Sequence, residues 1–196
     1  MTAGSIAGRS LPYVLLACGG LGFLAAFVLT LERLELAADD SYVPTCSINP
    51  IVSCGSVMKS EQSSLFGFPN PLIGIAAFAV LLTVGMALLA GARLRPWFWH
   101  GLQIGALLGV VFVHWLIFQS LYRIGALCPY CMVVWVVTVV VFWYVSLANV
   151  EAGRIRLPER LGRVAVRYHT VVVMLWVLIV AGLIVARFWT NFSMMI

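Results

Sequence analysis

The sequence predicts an all-α integral membrane protein, a four-helix transmembrane bundle with a fifth, peripheral span. Three observations carry this. Of 196 residues, 63% are hydrophobic and only 10% are charged. The mean hydropathy is +1.05. Five apolar stretches are each long enough to cross a bilayer. A soluble domain carries about 25% charged residues, and a small one leaves too much surface in water to hide this much apolar side chain. The length suits one membrane domain over residues 1–196.

The five stretches are residues 11–31, 71–94, 97–120, 127–148 and 170–188, against roughly 20 apolar residues needed to span the hydrocarbon layer. None alternates in polarity, which excludes a membrane β-barrel. The first is longer than a typical signal-peptide core and has no clear cleavage site after it. In the third, Gly101, Gly105 and Gly109 recur every four residues and are expected to pack against a neighbouring helix. Gln103 and Gln119 are expected to bond between helices, and Trp97, Trp99 and Trp189 to sit at the membrane interfaces. The connection between the fourth and fifth stretches is arginine-rich and contains Pro158.

The net charge of +5 is spread between apolar stretches rather than gathered in a patch, so no nucleic-acid partner is expected. With the N-terminus inside, the inner side carries Arg9, Arg93, Arg95, Arg154, Arg156, Arg160, Arg163 and Arg167. The outer side carries only Arg33, Lys59, Arg123 and Arg187. The positive-inside rule then favours a cytoplasmic N-terminus and an external C-terminus.

That topology sorts the five cysteines. Cys46 and Cys54 fall in the outer loop, residues 32–70, and Cys128 and Cys131 form Cys-Pro-Tyr-Cys where the fourth span starts, also outside. Disulfides persist on that side. Cys18 lies within the first span and reads as a small buried hydrophobe. Pro129 suits the first position of a helix, which makes Cys128 its cap. Helix-end N–H groups aimed at the sulfur favour the reactive thiolate. Cys131 then lies about 4.5 Å deeper along the axis. The outer loop, about 40 residues long, reads as irregular with a helical turn around residues 52–58. Two inert staples, or a zinc held by four thiolates, are the plainer readings. Two cysteine pairs on one face also suit a relay of thiol–disulfide exchange. Since no dinucleotide, haem or iron–sulfur motif is present, the final electron acceptor comes from outside the chain, most simply a membrane quinone.

The pattern Cys46-x7-Cys54, Ser60, Gly67-Phe-Pro-Asn70-Pro-Leu-Ile-Gly74 and Cys128-Pro-Tyr-Cys131 resembles bacterial homologues of vitamin K epoxide reductase. The resemblance covers four spans and the first outer loop. It implies a bacterial inner-membrane enzyme, active on its outer face, that reoxidises a thioredoxin-fold, DsbA-like dithiol partner. Electrons then pass to menaquinone or ubiquinone. No thioredoxin-like domain follows within residues 1–196, so a separate partner is expected. By the same resemblance Cys46 meets the partner, Cys54 attacks Cys128, and Cys131 faces the quinone. Asn70 would hydrogen-bond a quinone carbonyl, and Ser60 would lie near the pocket. Trp135 stands where animal relatives carry a tyrosine on the quinone; an indole donates a hydrogen bond but cannot accept one, which weighs against epoxide reduction. From its depth, about 9 Å inside the third span, His114 is a candidate for quinone proton transfer. The apolar loop residues Val57, Met58, Leu65, Phe66 and Phe68 are expected to close the pocket, with a membrane anchor as the competing role.

Overall fold

The computed structural model describes residues 6–39, 41–156 and 158–193. All its long elements are helices, and five of them are long and apolar enough to cross a membrane. The chain is a multi-pass membrane protein.

Helix α1, Ile6–Ala38, is the central element, packed along α3, Pro71–Leu89, on one side and α5, Pro129–Glu151, on the other. Helix α4, Pro96–Gln119, lies along α5 but barely touches α3. Small residues let α1 and α3 approach closely. A Cβ at Gly22 would overlap the Phe78 ring, and one at Gly85 would press on Leu16 and the Pro12 carbonyl. The core between these helices is aliphatic and aromatic: Leu11, Leu15, Phe78, Val137, Val141 and Val145. Each of α3, α4 and α5 opens on a proline in its first turn, where the missing N–H costs nothing.

Helix α7, His169–Ser193, is peripheral, as expected. Two polar contacts hold it to α4 and to the turn that follows α4. The Trp176 indole donates to His114 Nε2 at 2.9 Å. Arg187 Nε donates to the Leu121 carbonyl at 3.0 Å. Leu121 belongs to a π turn, Ser120–Ile124, that ends α4.

Several elements differ from expectation. Helix α1 runs past residue 31 to Ala38 because Glu32 is buried with partners on its own side of the membrane: it accepts from the Tyr42 hydroxyl and from the Thr45 N–H and hydroxyl. Helix α3 stops at Leu89 rather than 94, since Gly91 (φ 83°) turns the chain toward α4. The arginine-rich connection holds a further helix, α6, Glu159–Arg167, whose Arg160, Arg163 and Arg167 form one stripe. Its Ala165 and Val166 face the core, the pattern of a helix lying in an interface. Trp97 and Trp189 are exposed at span ends, but Trp99 is buried. Gln103 does link helices, donating to Ser146 Oγ and accepting from Asn149 Nδ2 of α5.

The glycine stripe does not pack as expected. A Cβ at Gly101 or Gly105 would meet nothing within 4 Å, and only Gly109 approaches a neighbour, Thr138. The reason is the α3–α4 seam: the helices diverge there and the stripe lines a cavity.

Candidate active site

The outer loop is fixed to the helices at two points. Its start is held by Glu32 of α1, as above. Its middle is held by a two-residue backbone latch, in which Leu127 N–H donates to the Ile51 carbonyl at 2.7 Å and Ser53 N–H to the Leu127 carbonyl at 2.9 Å. Local polar side chains prepare the latch. Asn49 Oδ1 accepts from the N–H groups of Ile51 and Val52, an Asx turn. Ser53 Oγ accepts from Ser56 N–H and caps α2, Cys54–Met58. Helix α2 matches the helical turn read from the sequence.

The latch puts the cysteines together. Cys46 and Cys54 form a disulfide with Cα atoms 5.7 Å apart. Cys128 caps α5 as the proline predicts, its sulfur accepting from Cys131 N–H at 3.4 Å. Cys128 Sγ lies 3.3 Å from Cys54 Sγ, although 74 positions separate them in the chain. Since Cys54 is in a disulfide it has no proton to donate, so this contact is a thiol resting against a disulfide sulfur. The sulfurs of Cys46, Cys54 and Cys128 lie within 4.8 Å of one another. Two of them are bonded together, and in that state they offer a metal no thiolate. All three are buried; Cys46 is the least enclosed, at 7% exposure.

The Cys131 thiol donates to Cys128, and the N–H groups of Cys131 and Tyr130 add to it. Together they hold the Cys128 thiol below its ordinary range, against the opposing effect of burial. Cys128 is thus the thiol of the pair more readily converted to thiolate, and its sulfur lies against Cys54.

Below this centre opens a cavity of about 480 Å³. Cys128, Cys131, Met58, Ser63 and Asn70 line its upper end, and the Gly101–Gly105–Gly109 face of α4 runs down one wall to Trp97 and Phe98. Trp135 also lines it, 3% exposed, and its Nε1 is buried without a hydrogen-bond partner. An orphaned buried N–H costs about 1–3 kcal/mol, so this donor, on a residue that lines the cavity, needs an acceptor that the described residues do not supply.

The sequence matches the vitamin K epoxide reductase family over residues 13–146. The chain belongs to that family. No curated protein matches it significantly. Vitamin K epoxide reductase family members are oxidoreductases that use quinones. The matched region, from α1 into α5, contains both cysteine pairs, the latch and the cavity.

Against this family's expected pocket, the expected ligand contacts divide. Asn70 reaches the cavity, but its side chain closes the loop: Nδ2 donates to Gln62 O at 2.7 Å and Oδ1 accepts from Leu65 N–H at 3.2 Å. One Nδ2 hydrogen remains for a ligand. Ser60 does not line the cavity; its hydroxyl donates to the Val57 carbonyl at 2.6 Å, and Ser63 stands at the lining instead. The loop changes pitch between α2 and a 3-10 turn, Glu61–Ser64, which turns Ser63 inward. His114 faces α7 rather than the cavity, and both its ring nitrogens are engaged, Nδ1 with Val110 O at 2.8 Å and Nε2 with Trp176. Val57 and Met58 close the cavity, but Leu65, Phe66 and Phe68 are exposed, with Phe66 against Phe112. That exposure fits the anchoring role. Sequence reasoning missed Arg33 at the cavity mouth, the latch and the glycine wall. Of these only the glycines carried a visible signal, their four-residue spacing.

Proposed function

We propose that this protein is a thiol oxidase that takes electrons from a thioredoxin-fold dithiol partner outside the membrane and delivers them to a long-chain quinone. The observation that carries this reading is the Cys128 sulfur at 3.3 Å from Cys54, at the head of an apolar cavity with one unpaired donor. A partner thiolate attacks Cys46, breaks the Cys46–Cys54 bond and frees Cys54. The partner's second thiol then releases Cys46 and the partner leaves oxidised. Cys54 attacks Cys128 of a Cys128–Cys131 disulfide and frees Cys131. Cys46 attacks Cys54 and frees Cys128, restoring the loop disulfide and leaving the Cys-Pro-Tyr-Cys pair as a dithiol. That is the pairing present here. The quinone accepts the two electrons and two protons given up when Cys128 and Cys131 rejoin. The net change is partner dithiol plus quinone to partner disulfide plus quinol.

The cavity suits such a substrate. Its wall is almost wholly apolar, as a prenylated ring requires, and the indole N–H meets one carbonyl. An indole is far too weak an acid to protonate an opening epoxide, which supports quinone over epoxide reduction. The arginine distribution supports an outer-face location. The reading is tested by anaerobic mixing of enzyme, reduced at its Cys-Pro-Tyr-Cys pair, with a water-soluble quinone. One quinol should form per enzyme; no quinone bleaching would overturn it.

Two substitutions probe the cavity. Trp135→Phe removes the donor and keeps the ring plane, and raises the quinone KM about tenfold, the worth of one buried hydrogen bond. Exchange between the two cysteine pairs is unchanged. Gly105→Leu fills the α4 wall and raises KM about tenfold or more for a quinone with a long prenyl tail, but not for one without a tail. Equal effects on both quinones would remove the tail from the glycine wall.

A further inference from the structure

At the opposite end of α5 from the cysteines lies a second cavity, about 560 Å³, between Pro12 of α1, the α3–α4 turn, Trp99 and Arg154. Its charged wall is Arg93 and Arg154, and among the described residues no acidic side chain lines it. The rest is apolar: Pro12, Leu88, Leu94 and the Trp99 ring.

Arg154 is held in place. Its guanidinium lies over the Trp99 ring, 4.6 Å from the centroid, and one nitrogen donates to Asn149 Oδ1 at 3.2 Å. Asn149, 1% exposed, is held by Gln103 of α4 at 3.0 Å, and Gln103 in turn by Ser146 at 2.9 Å. Below them the turn closes when the Arg154 N–H bonds the Asn149 carbonyl at 2.9 Å. A chain of polar groups, half-buried at Gln103 and Ser146 and buried at Asn149, thus aims one arginine, and only one of its five N–H donors goes to Asn149. Arginine forks match phosphate oxygens, and two of them above an apolar floor match a phosphodiester carrying acyl chains.

We propose that this cleft binds the headgroup phosphate of an anionic phospholipid, in the leaflet away from the cysteine centre. Arg93 and Arg154 take the phosphate, and the Pro12–Leu88–Leu94 floor takes the first carbons of the acyl chains. Basic pockets between spans on the arginine-rich side recognise lipid in this way. The absence of an acidic wall favours an anionic over a zwitterionic headgroup, whose cation would face the two arginines.

The test is the thermal unfolding midpoint of the detergent-solubilised full chain, titrated with phosphatidylglycerol, phosphatidylcholine or inorganic phosphate. Phosphatidylglycerol should raise the midpoint saturably, and the other two should not. Arg93→Gln should raise the half-saturating phosphatidylglycerol concentration about tenfold, one charged hydrogen-bonded contact, and Arg93→Lys should restore part of it. Arg93 is chosen because Arg154→Gln also cuts a buried bond and can unfold the turn. An Arg93→Gln titration identical to wild type, or phosphatidylcholine as effective as phosphatidylglycerol, overturns the proposal. Stabilisation by inorganic phosphate alone assigns the cleft to a free anion and overturns the lipid.

Discussion

Replacing Cys131 with serine should stop quinone reduction by a thiol partner, a loss on the order of 10³-fold or more, because no second thiol remains to close the pair. The same variant should change the disulfide map. Cys128, now without its redox partner, rests 3.3 Å from Cys54. Its thiolate attacks Cys54, the Cys46–Cys54 bond breaks, and Cys46 leaves as a thiolate. Electrons balance without an external oxidant. Maleimide labelling followed by mass mapping should find a Cys54–Cys128 bond with Cys46 labelled. Retained turnover, or an undisturbed Cys46–Cys54 bond with Cys128 labelled, would sink the relay. Cys131→Ala adds a pH signature. The thiol that lowers the Cys128 pKa is gone, so the pKa rises. The attacking species is the thiolate, and the exchange should therefore need higher pH to reach its plateau, with a slower rate at neutrality.

The second large effect comes from the backbone. Ser53→Pro deletes the N–H that bonds Leu127 O at 2.9 Å, and Ser53 sits at φ −141°, which a proline ring cannot adopt. Partner-driven turnover should fall on the order of 100-fold, equivalent to about 2.7 kcal/mol. Quinone reduction driven by a small dithiol acting directly on Cys128–Cys131 should persist. Ser53→Ala is the control: it keeps the N–H and loses the helix cap, worth about 1 kcal/mol, together with the exposed hydroxyl contact to Ser56. Full partner-driven turnover in Ser53→Pro would mean that the latch does not bring the two cysteine pairs together.

These two experiments divide along what could be read from the residues alone. The spans were legible because twenty apolar residues in a row admit few other structures. So was Cys128 as a helix cap, because Pro129 fixes the helix start. The helix ends were less so. Glu32 extends α1 through contacts to Tyr42 and Thr45 that no periodicity encodes. The meeting of Cys54 with Cys128 depends on two main-chain hydrogen bonds, and main-chain bonds leave no mark in side-chain identity. Ser60 and Ser63 differ by one tight turn, and a change of helical pitch between them decided which faces inward. His114 was read by depth, which residue spacing gives well, but depth does not tell which neighbour a helix face meets. Here that neighbour is α7.

The parting of α3 from α4 bears on how this molecule should be handled. Where two helices of a bundle scarcely meet, whatever occupies the gap becomes part of the wall, and its binding free energy adds to the folding free energy by mass action. A hundredfold excess of such a guest over its dissociation constant contributes about 2.7 kcal/mol. The heat resistance of this enzyme should thus follow the redox-lipid content of the host bilayer, and extraction into a solvent that strips prenyl lipids should soften it first along that seam.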